Sequence, residues 1–285
     1  MSVDYNPKVS VCVPVYNGEQ FIKETIHSIQ KQTYLNLEIL IQDNASTDQT
    51  SKIISDMKDR DERIKIVRND NLVSMAANWN IVISRASGSY VTLLSADDLL
   101  KPTFVEECLK VFRVSENIDF VSTEHWLLTS KGIKRRKVPV KSGKRIVSCE
   151  EVLLKNPFSI NFTIFRKDFL EGISFQSTKV FREPYFTCDY DLWIRASLSK
   201  AVVYFIDQPL AYYRVHEASL SKNLLKMIKH TTLVLSANEV LLRSNCDVIF
   251  RFTMLRLLLR VGVVFVKTGV LNKKLTKYMC KKVLN

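Results

Sequence analysis

The feature that most restricts the fold is a regular alternation of strand and helix patterns over the first 125 residues. Strand patterns rich in β-branched residues occur at 9–16, 37–43, 64–67, 89–94 and 118–125. Between them, apolar residues recur three or four positions apart, as a helix with one buried face requires. Strand–helix–strand repetition with short connections predicts parallel pairing, right-handed crossovers and helices on both faces of a sheet.

Polar and acidic residues follow these predicted strands at their carboxyl ends. The segments are Pro14–Asn17, Asp43–Ser46, Asn69–Asn71 and Ser95–Asp98. Ligands of open α/β sheets bind beyond the carboxyl ends of the strands. The sequence therefore predicts a polar binding site along this edge.

After about residue 130 the pattern is less regular. Two further strands are expected, AVVYFID (201–207) and LAYYRVH (210–216), and helices dominate beyond Ser221. Segment 248–271 is nearly all apolar except for a few basic residues, which lie mainly in one narrow helical sector. These charges interrupt the segment too often for a helix that spans a membrane. Two interpretations stay open: a helix at a membrane interface, or a packed helix with a solvated basic edge.

The net charge of +13 is unevenly distributed. Residues 131–145 contain eight basic residues and no acidic residue, and residues 221–285 contain thirteen basic and two acidic residues. The rest of the chain is mildly acidic. This asymmetry indicates an anionic partner, such as a membrane surface, nucleic acid or a phosphorylated substrate.

The cysteines and the N-terminus indicate a reducing, intracellular setting. No Cys-x-x-Cys pair or zinc-like spacing occurs, and no signal segment opens the chain. Cys12 and Cys108 lie within apolar patterns, where a free thiol packs as a small hydrophobic group.

Two common phosphate-binding motifs are absent from the sequence. There is no G-x-G-x-x-G after the first strand and no G-x-x-x-x-G-K-[ST], and only seven glycines are present. A phosphate ligand then needs another positive charge, which a divalent cation held by Asp97 and Asp98 supplies. Taken alone, the Asp-Asp pair is weak evidence for a metal, and capping of the next turn by Asp98 is the favoured explanation.

Four segments, in order, together resemble the family 2 glycosyltransferases. They are VSVCVPVYNGEQFIKETIHSIQKQTYLNLEILIQDNASTDQT, ASGSYVTLLSADDLLKPTFVEE, CDYDLWIRAS and YRVHEASLS. The resemblance implies an α/β protein with a GT-A type, Rossmann-like mixed sheet flanked by helices. It implies a glycosyltransferase domain over 1–220, divided into a nucleotide-sugar-binding half (1–125) and an acceptor-binding half (126–220). Residues 221–285 would form a basic, helical C-terminal extension.

The resemblance also assigns residues to a nucleotide site. Pro14, Tyr16 and Asn17 would border the nucleotide, and Asp43 would accept a hydrogen bond from the base. Asn78 matches a recurrent asparagine of the family. Capping of a helix by Asp43, and a plain polar role for Asn78, are the alternatives.

A metal and a base complete the implied site. Asp97 would bind the Mn²⁺ or Mg²⁺ that bridges the diphosphate, with Asp98 assisting through the metal or a ribose hydroxyl. His216 would reach the metal or the diphosphate, and Arg214 would pair with phosphate or neutralise a neighbour. Asp189 aligns with the general base of the family, which takes the proton of the acceptor hydroxyl.

Asp191 competes with Asp189 as the base, but it lies two positions further along a helix and points elsewhere. Three positions depart from the family pattern. Ser95 replaces the first acid of an Asp-x-Asp triplet, Val73 stands where glycine is frequent, and Cys188 replaces an acid before the base.

The implied function is an inverting, metal-dependent transfer of a sugar from a nucleoside-diphosphate sugar, most commonly UDP-linked. The acceptor would be a saccharide or a lipid-linked saccharide of a bacterial polysaccharide such as O-antigen or capsule. We expect a cytoplasmic protein, peripheral on the inner membrane face through its basic C-terminal helices. The alternatives are a catalytically inactive sugar-nucleotide-binding protein and a nucleic-acid-binding protein. Nucleic-acid binding is not expected, because no aromatic residues lie between the basic residues of segment 131–145.

Overall fold

The computed structural model describes residues 5–115, 117–135, 140, 142–175, 187–217, 219, 223–268, 276, 279 and 280. The chain divides into two compact units. Unit 1 comprises Met1–Ile146, Pro157–Phe175 and Ala201–His216, and unit 2 comprises Val147–Asn156, Gln176–Lys200 and Glu217–Asn285. The division expected from sequence at residues 125 and 220 stays a prediction.

Unit 1 contains a mixed sheet of ten strands. In chain order these are β1 (Val9–Val15), β2 (Leu37–Asp43), β3 (Ile64–Arg68), β4 (Tyr90–Leu93), β5 (Leu99–Leu100), β6 (Phe120–Thr129), β7 (Gly132–Arg135), β8 (Gly143–Ile146), β9 (Thr163–Arg166) and β10 (Val202–Val215). Their spatial order is β3-β2-β1-β4-β9-β6-β10-β5, with β7 paired to β6 and β8 to β10.

The sheet is parallel in one half and mixed in the other. Strands β3, β2, β1 and β4 pair in parallel, as the alternating pattern predicts. Strand β9 is antiparallel to both β4 and β6, and β10 is parallel to β6. The GT-A type mixed sheet implied by the resemblance is therefore confirmed.

The helices, in chain order, are α1 (Ile22–Gln30), α2 (Thr50–Lys58), α3 (Met75–Ser84), α4 (Phe104–Val114), α5 (Cys149–Leu154), α6 (Lys167–Gly172), α7 (Cys188–Leu198), α8 (Leu224–Ala237) and α9 (Glu239–Thr268). A short 3₁₀ turn, Ile160–Phe162, precedes β9. None of these helices is long and apolar enough to cross a membrane.

Helices cover both faces of the parallel half of the sheet. Val9, Val11 and Val13 alternate onto one face of β1, where they share a core with apolar residues of α1, α2 and α4. On the other face, the thiol of Cys12 lies 3.8 Å from the carbonyl oxygen of Val82 in α3. Both cysteines expected to pack as small hydrophobic residues, Cys12 and Cys108, are buried.

The second half differs from the sequence prediction in one strand. Residues 202–215 form a single strand, β10, whose register against β6 shifts at Pro209. A proline has no N–H to donate to the ladder, so the strand is irregular there but not interrupted. The basic stretch forms the exposed strand β7 and the strand β8, whose residues alternate between half-buried and exposed, while its residues 136–139 and 141 lie outside the described part.

Unit 2 is helical where it is described and contains α5, α7, α8 and α9. Its core includes Leu192 and Trp193 of α7, Leu235 of α8 and Phe250 of α9. Cys246 has non-helical backbone angles (φ −158°, ψ 50°), so α9 kinks there.

Candidate active site

The loop after β1 is exposed and is held in place by hydrogen bonds of the side chain and backbone of Asn17. Pro14 is half-buried within β1, whereas Tyr16 and Asn17 are exposed. Asn17 has a positive φ of 51°, which asparagine tolerates better than most residues. Its Oδ1 accepts a hydrogen bond from the Thr47 backbone N–H (2.8 Å), and its own N–H donates to Ser46 Oγ (3.0 Å). The loops after β1 and β2 are therefore tied together.

Asp43 is fully buried at the end of β2. Its carboxylate accepts hydrogen bonds from the Ser46 N–H (2.9 Å), the Ser51 hydroxyl (2.6 Å) and Arg68 Nη1 (2.6 Å). The side chain thus holds the β2–α2 loop, but it does not occupy the N-cap position of α2, which is Gln49. A contact of Asp43 with a nucleobase stays a prediction.

Asn78 is also buried, and it belongs to an amide network. The Nδ2 group of Asn69 donates to Asn78 Oδ1 (2.9 Å) and to Asn44 Oδ1 (2.8 Å). Asn44 in turn exchanges hydrogen bonds with both backbone polar groups of Val73. This network fixes the segment that leads from β3 into α3, the segment in which valine replaces a frequent glycine.

Asp97 and His216 lie together at the end of β4. The Nε2 atom of His216 is 2.9 Å from Asp97 Oδ2, and the two side chains are 24% and 33% exposed. The ring of Phe21 packs against His216 with centroids 4.9 Å apart. Of the residues assigned to the metal, these two reach solvent.

Arg214 holds the backbone of Asp97 in place. Its Nε donates to the carbonyl oxygen of Asp97 (2.8 Å) and its Nη2 pairs with Glu24 Oε2 (2.6 Å). The guanidinium also lies over the ring of Phe21, 4.6 Å from its centroid. Arg214 therefore neutralises a neighbour, which was one of the two roles open from the sequence.

Asp98 points inward and is 1% exposed. Its Oδ1 accepts from the Arg214 backbone N–H (2.8 Å), and its Oδ2 accepts from Asn161 Nδ2 (2.6 Å). Burial, together with the charge of Asp97, raises the pKa of Asp98 well above its ordinary value. Both oxygens are thus engaged within the protein.

Sequence reasoning did not find Asn161, Glu24 or Phe21. Asn161 also accepts a hydrogen bond from Ser95 Oγ (3.0 Å), so the serine that replaces the usual acid supports the partner of Asp98. No local pattern marks these residues, because each acts on a side chain far away in the sequence.

In unit 2, Asp189 and Asp191 open helix α7. Asp189 is half-buried, and burial raises its pKa to about 6. Asp191 is buried, and its carboxylate accepts from Arg195 Nε and Asn238 Nδ2, both at 2.8 Å. Asp191 thus has a structural role in joining α7 to α8.

The strand order identifies the class of site. In the order β3-β2-β1-β4, the chain proceeds to one side of β1 as far as β3 and then returns to its other side as β4. The crevice beyond the ends of β1 and β4 is therefore a topological switch point, where doubly wound sheets bind nucleotides. Tyr16 and Asn17 follow β1, and Asp97 follows β4. The fold is that of a doubly wound α/β protein, and these residues mark its candidate ligand site.

Comparison with known proteins specifies the family. The model of "Glycosyl transferase family 2" matches residues 10–171, more than half of the chain. The chain belongs to this family, and it is a glycosyltransferase.

A curated relative aligns along most of the chain. It is the putative teichuronic acid biosynthesis glycosyltransferase TuaG of Bacillus subtilis, 28% identical over 238 residues that cover 81% of this chain and 88% of TuaG. The chain spans two thirds or less of the length of several other curated relatives.

Two solved structures have the same fold. Residues 1–349 of S. aureus TarS, in complex with UDP-GlcNAc, match with a TM-score of 0.65 and 18% identity over 87% of this chain and 71% of that one. The mannosyltransferase PcManGT of Pyrobaculum calidifontis, in complex with GDP-Man and Mn²⁺, matches with a TM-score of 0.62 and 16% identity over 98% of this chain and 80% of that one. At these identities the likeness establishes the fold alone.

The donor atoms of Asp97 and His216 fit a divalent ion whose coordination shell is completed by the substrate. Within the described ranges, no group of three or more His, Cys, Asp or Glu side chains is arranged to enclose a metal. Mg²⁺ and Mn²⁺ in nucleotide enzymes need no such cage, because waters and phosphate oxygens fill most of the coordination shell. One exposed carboxylate, Asp97, and one imidazole, His216, suit such an ion.

Proposed function

We propose that the protein is an inverting, metal-dependent glycosyltransferase that uses a nucleoside-diphosphate sugar, with UDP as the proposed nucleotide. The observation that carries this proposal is the solvent-facing pair Asp97–His216, 2.9 Å apart, beyond the ends of β1 and β4. The nucleotide-sugar complexes of TarS and PcManGT, which have the same fold, support it.

Asp97 and His216 would hold Mn²⁺ or Mg²⁺. When bound, the ion supplies positive charge that stabilises the departing nucleoside diphosphate. Arg214 and Glu24 keep Asp97 in place, and Asp98 acts through its hydrogen bonds within the protein. Pro14, Tyr16 and Asn17 border the nucleotide, while Asp43 and Asn78 hold the loops that carry it.

Asp189 is the proposed general base. It takes the proton of an acceptor hydroxyl, whose oxygen attacks the anomeric carbon while the bond to the diphosphate breaks, so that the configuration inverts. A carboxylate whose pKa is raised to about 6 is a stronger base than an exposed aspartate and is still ionised at neutral pH. Asp191, which is paired with Arg195, is not available for this role.

The proposed acceptor is a hydroxyl of a saccharide or a lipid-linked saccharide in a bacterial polysaccharide pathway. The similarity to TuaG, a putative teichuronic acid biosynthesis glycosyltransferase, supports a polysaccharide product. The thirteen basic residues beyond Ser221 support a site of action at an anionic membrane surface.

The proposal is tested by thermal unfolding with a panel of nucleotide-sugars, each with and without Mn²⁺. We expect one diphosphate class to raise the unfolding temperature, and to do so strongly only with Mn²⁺. A ligand at a hundred times its Kd adds about 2.7 kcal/mol of stability. Asp97→Asn should remove the Mn²⁺-dependent part of the shift.

Asp98→Asn is the matched control, since it makes the same chemical change one position away. It should keep the Mn²⁺-dependent shift, because the carboxylate of Asp98 faces Asn161 and the Arg214 backbone. Equal loss of the shift in both variants would contradict the assignment of the metal to Asp97 and His216. The absence of a shift with every nucleotide-sugar would contradict the proposed function.

A further inference from the structure

Helix α9 carries apolar side chains on an outer face. Four of them form what we name the outer stripe: Val248, Phe252, Leu255 and Leu259, which are 80%, 52%, 39% and 63% exposed. All four follow the kink at Cys246 and lie on one continuous helical segment. Single exposed apolar residues are ordinary, but a run of four on successive turns is not.

The outer stripe lies opposite the face by which α9 packs in unit 2. At about 100° per residue, its four members fall within a sector of about 60°. The buried residues Phe250, Met254, Leu257 and Val261 are centred roughly 180° away. Packing against α5 and α8 therefore accounts for the inner apolar face and leaves the outer one in contact with solvent.

Basic residues border the outer stripe on both sides. Arg251, which forms an ion pair with Asp247 (2.8 Å), lies along one edge, and Arg256 and Arg260 lie along the other. Arg256 also contacts the stripe itself, with its guanidinium 5.9 Å from the centroid of Phe252. An apolar strip between two basic edges is the pattern of a helix that lies in a membrane interface, with basic side chains at the headgroups.

We propose that the outer stripe docks α9 onto an anionic lipid surface, with the helix lying in the plane of the interface. Charge complementarity favours this occupant, since residues 221–285 contain thirteen basic and two acidic residues. A second copy of the chain is the less suitable occupant, because it would bring the same positive charge to the contact. Four side chains also fall far short of the 20–30 residues per partner of a stable interface.

Docking of this kind goes beyond sugar transfer and does not depend on it. It deepens the proposed action at an anionic membrane surface by naming the side chains that meet the lipid, and an enzyme held there meets lipid-linked saccharides. The two proposals are separable by measurement, since vesicle binding needs no nucleotide-sugar.

The test is sedimentation of the full-length protein with phosphatidylcholine vesicles that contain or lack phosphatidylglycerol. We expect binding to the anionic vesicles only. Leu259→Gln, which removes an apolar side chain without adding charge, should weaken binding by about tenfold. Leu259→Glu should weaken it further.

Matched controls use Val114, which is 83% exposed at the end of α4 in unit 1. Val114→Gln and Val114→Glu make the same changes outside the outer stripe and should bind vesicles like the unaltered protein. All variants should keep the thermal shift with nucleotide-sugar, which reports separately on the proposed function.

Three results would overturn the docking proposal. The first is no binding of the unaltered protein to anionic vesicles, and the second is undiminished binding of Leu259→Gln. The third is a dimer in analytical ultracentrifugation that Leu259→Gln dissociates, because the outer stripe would then be a contact between copies.

Discussion

Asp97 and Asp98 are joined by one peptide bond, yet their carboxylates meet different surroundings. Asp97 reaches solvent beside His216, while Asp98 is buried under the Arg214 backbone and Asn161. Burial, together with repulsion from the neighbouring Asp97 carboxylate, raises the pKa of Asp98 well above its ordinary value. The side chain of Asp97 is thus accessible to a ligand, whereas that of Asp98 is hydrogen-bonded within the protein.

The pKa of Asp189, raised to about 6 by burial, predicts how activity depends on pH. A general base works only in its ionised form, so kcat/KM should fall about tenfold per pH unit below pH 6 and level off above pH 7. The measurement is a pH–rate profile for transfer to a saccharide acceptor.

Asp189→Asn provides the control for this profile. It should lower kcat by a factor of roughly 10² to 10⁴ and abolish the acidic limb of the profile. Asp191→Asn, on the same helix, should instead lower stability, because it weakens the contacts with Arg195 and Asn238. Full turnover in Asp189→Asn would rule out its role as the base.

Sequence alone predicted that a carboxylate would follow β4, because that signal is local. It assigned the metal to Asp97 with Asp98 assisting, but it did not predict that Asp98 is buried. The hydrogen bonds that bury Asp98 come from Arg214, 116 positions away, and Asn161, 63 positions away. Only the folded chain brings these partners together, so the burial of Asp98 could not be predicted from the sequence.

At the scale of elements, strands β1 and β4 meet closely at their start. A methyl group at Gly88, just before β4, would lie 2.6 Å from the Lys8 carbonyl oxygen and 2.8 Å from the Ser10 backbone nitrogen. Both contacts are with backbone atoms, which cannot rotate away. Residue 88, two positions before β4, therefore has to lack a side chain.

Gly88→Ala should accordingly destabilise the protein by about 1–3 kcal/mol, as overpacking does in other cores. Gly172→Ala is the matched control, because nothing lies within 4 Å of its added methyl group. The comparison is made by urea unfolding of both variants. Equal stabilities would show that β1 moves aside without cost.

The order of the strands was the part of the sheet that local patterns could not predict. The alternating pattern gave the parallel strands β1 to β4, because short crossovers permit few arrangements. It did not place β9, which inserts between β4 and β6 as an antiparallel strand. Pairing of this kind depends on contacts between residues more than 40 positions apart, for which a single sequence has no signal.

At the scale of the whole molecule, one buried carboxylate links several parts of the parallel sheet. Glu38 of β2 accepts hydrogen bonds from Ser10 of β1, from Ser87 and from Lys65 of β3. Burial alone would raise the pKa of Glu38, but the hydrogen bonds from Ser10 and Ser87 outweigh it and lower the pKa to about 2.

The stability of the fold in acid should depend on this group. A carboxylate whose folded pKa lies below its unfolded value of 4.5 contributes stability above pH 4.5 and loses it as the pH falls towards 2. Glu38→Gln should therefore cost about 2 kcal/mol at pH 7 and progressively less below pH 4.5. Urea unfolding across this range is the measurement, and a difference that grows in acid would contradict the role given to Glu38.

Strand β10 lies between β6 and β5 in the sheet, yet it is the last strand of the sheet in the chain. During synthesis, one edge of β6 and the strands β5 and β8 stay unpaired until β10 has been made. Unpaired strand edges readily join other chains. A polypeptide halted on the ribosome before Val202 would therefore be prone to aggregation, and the sheet closes only once translation has passed residue 215.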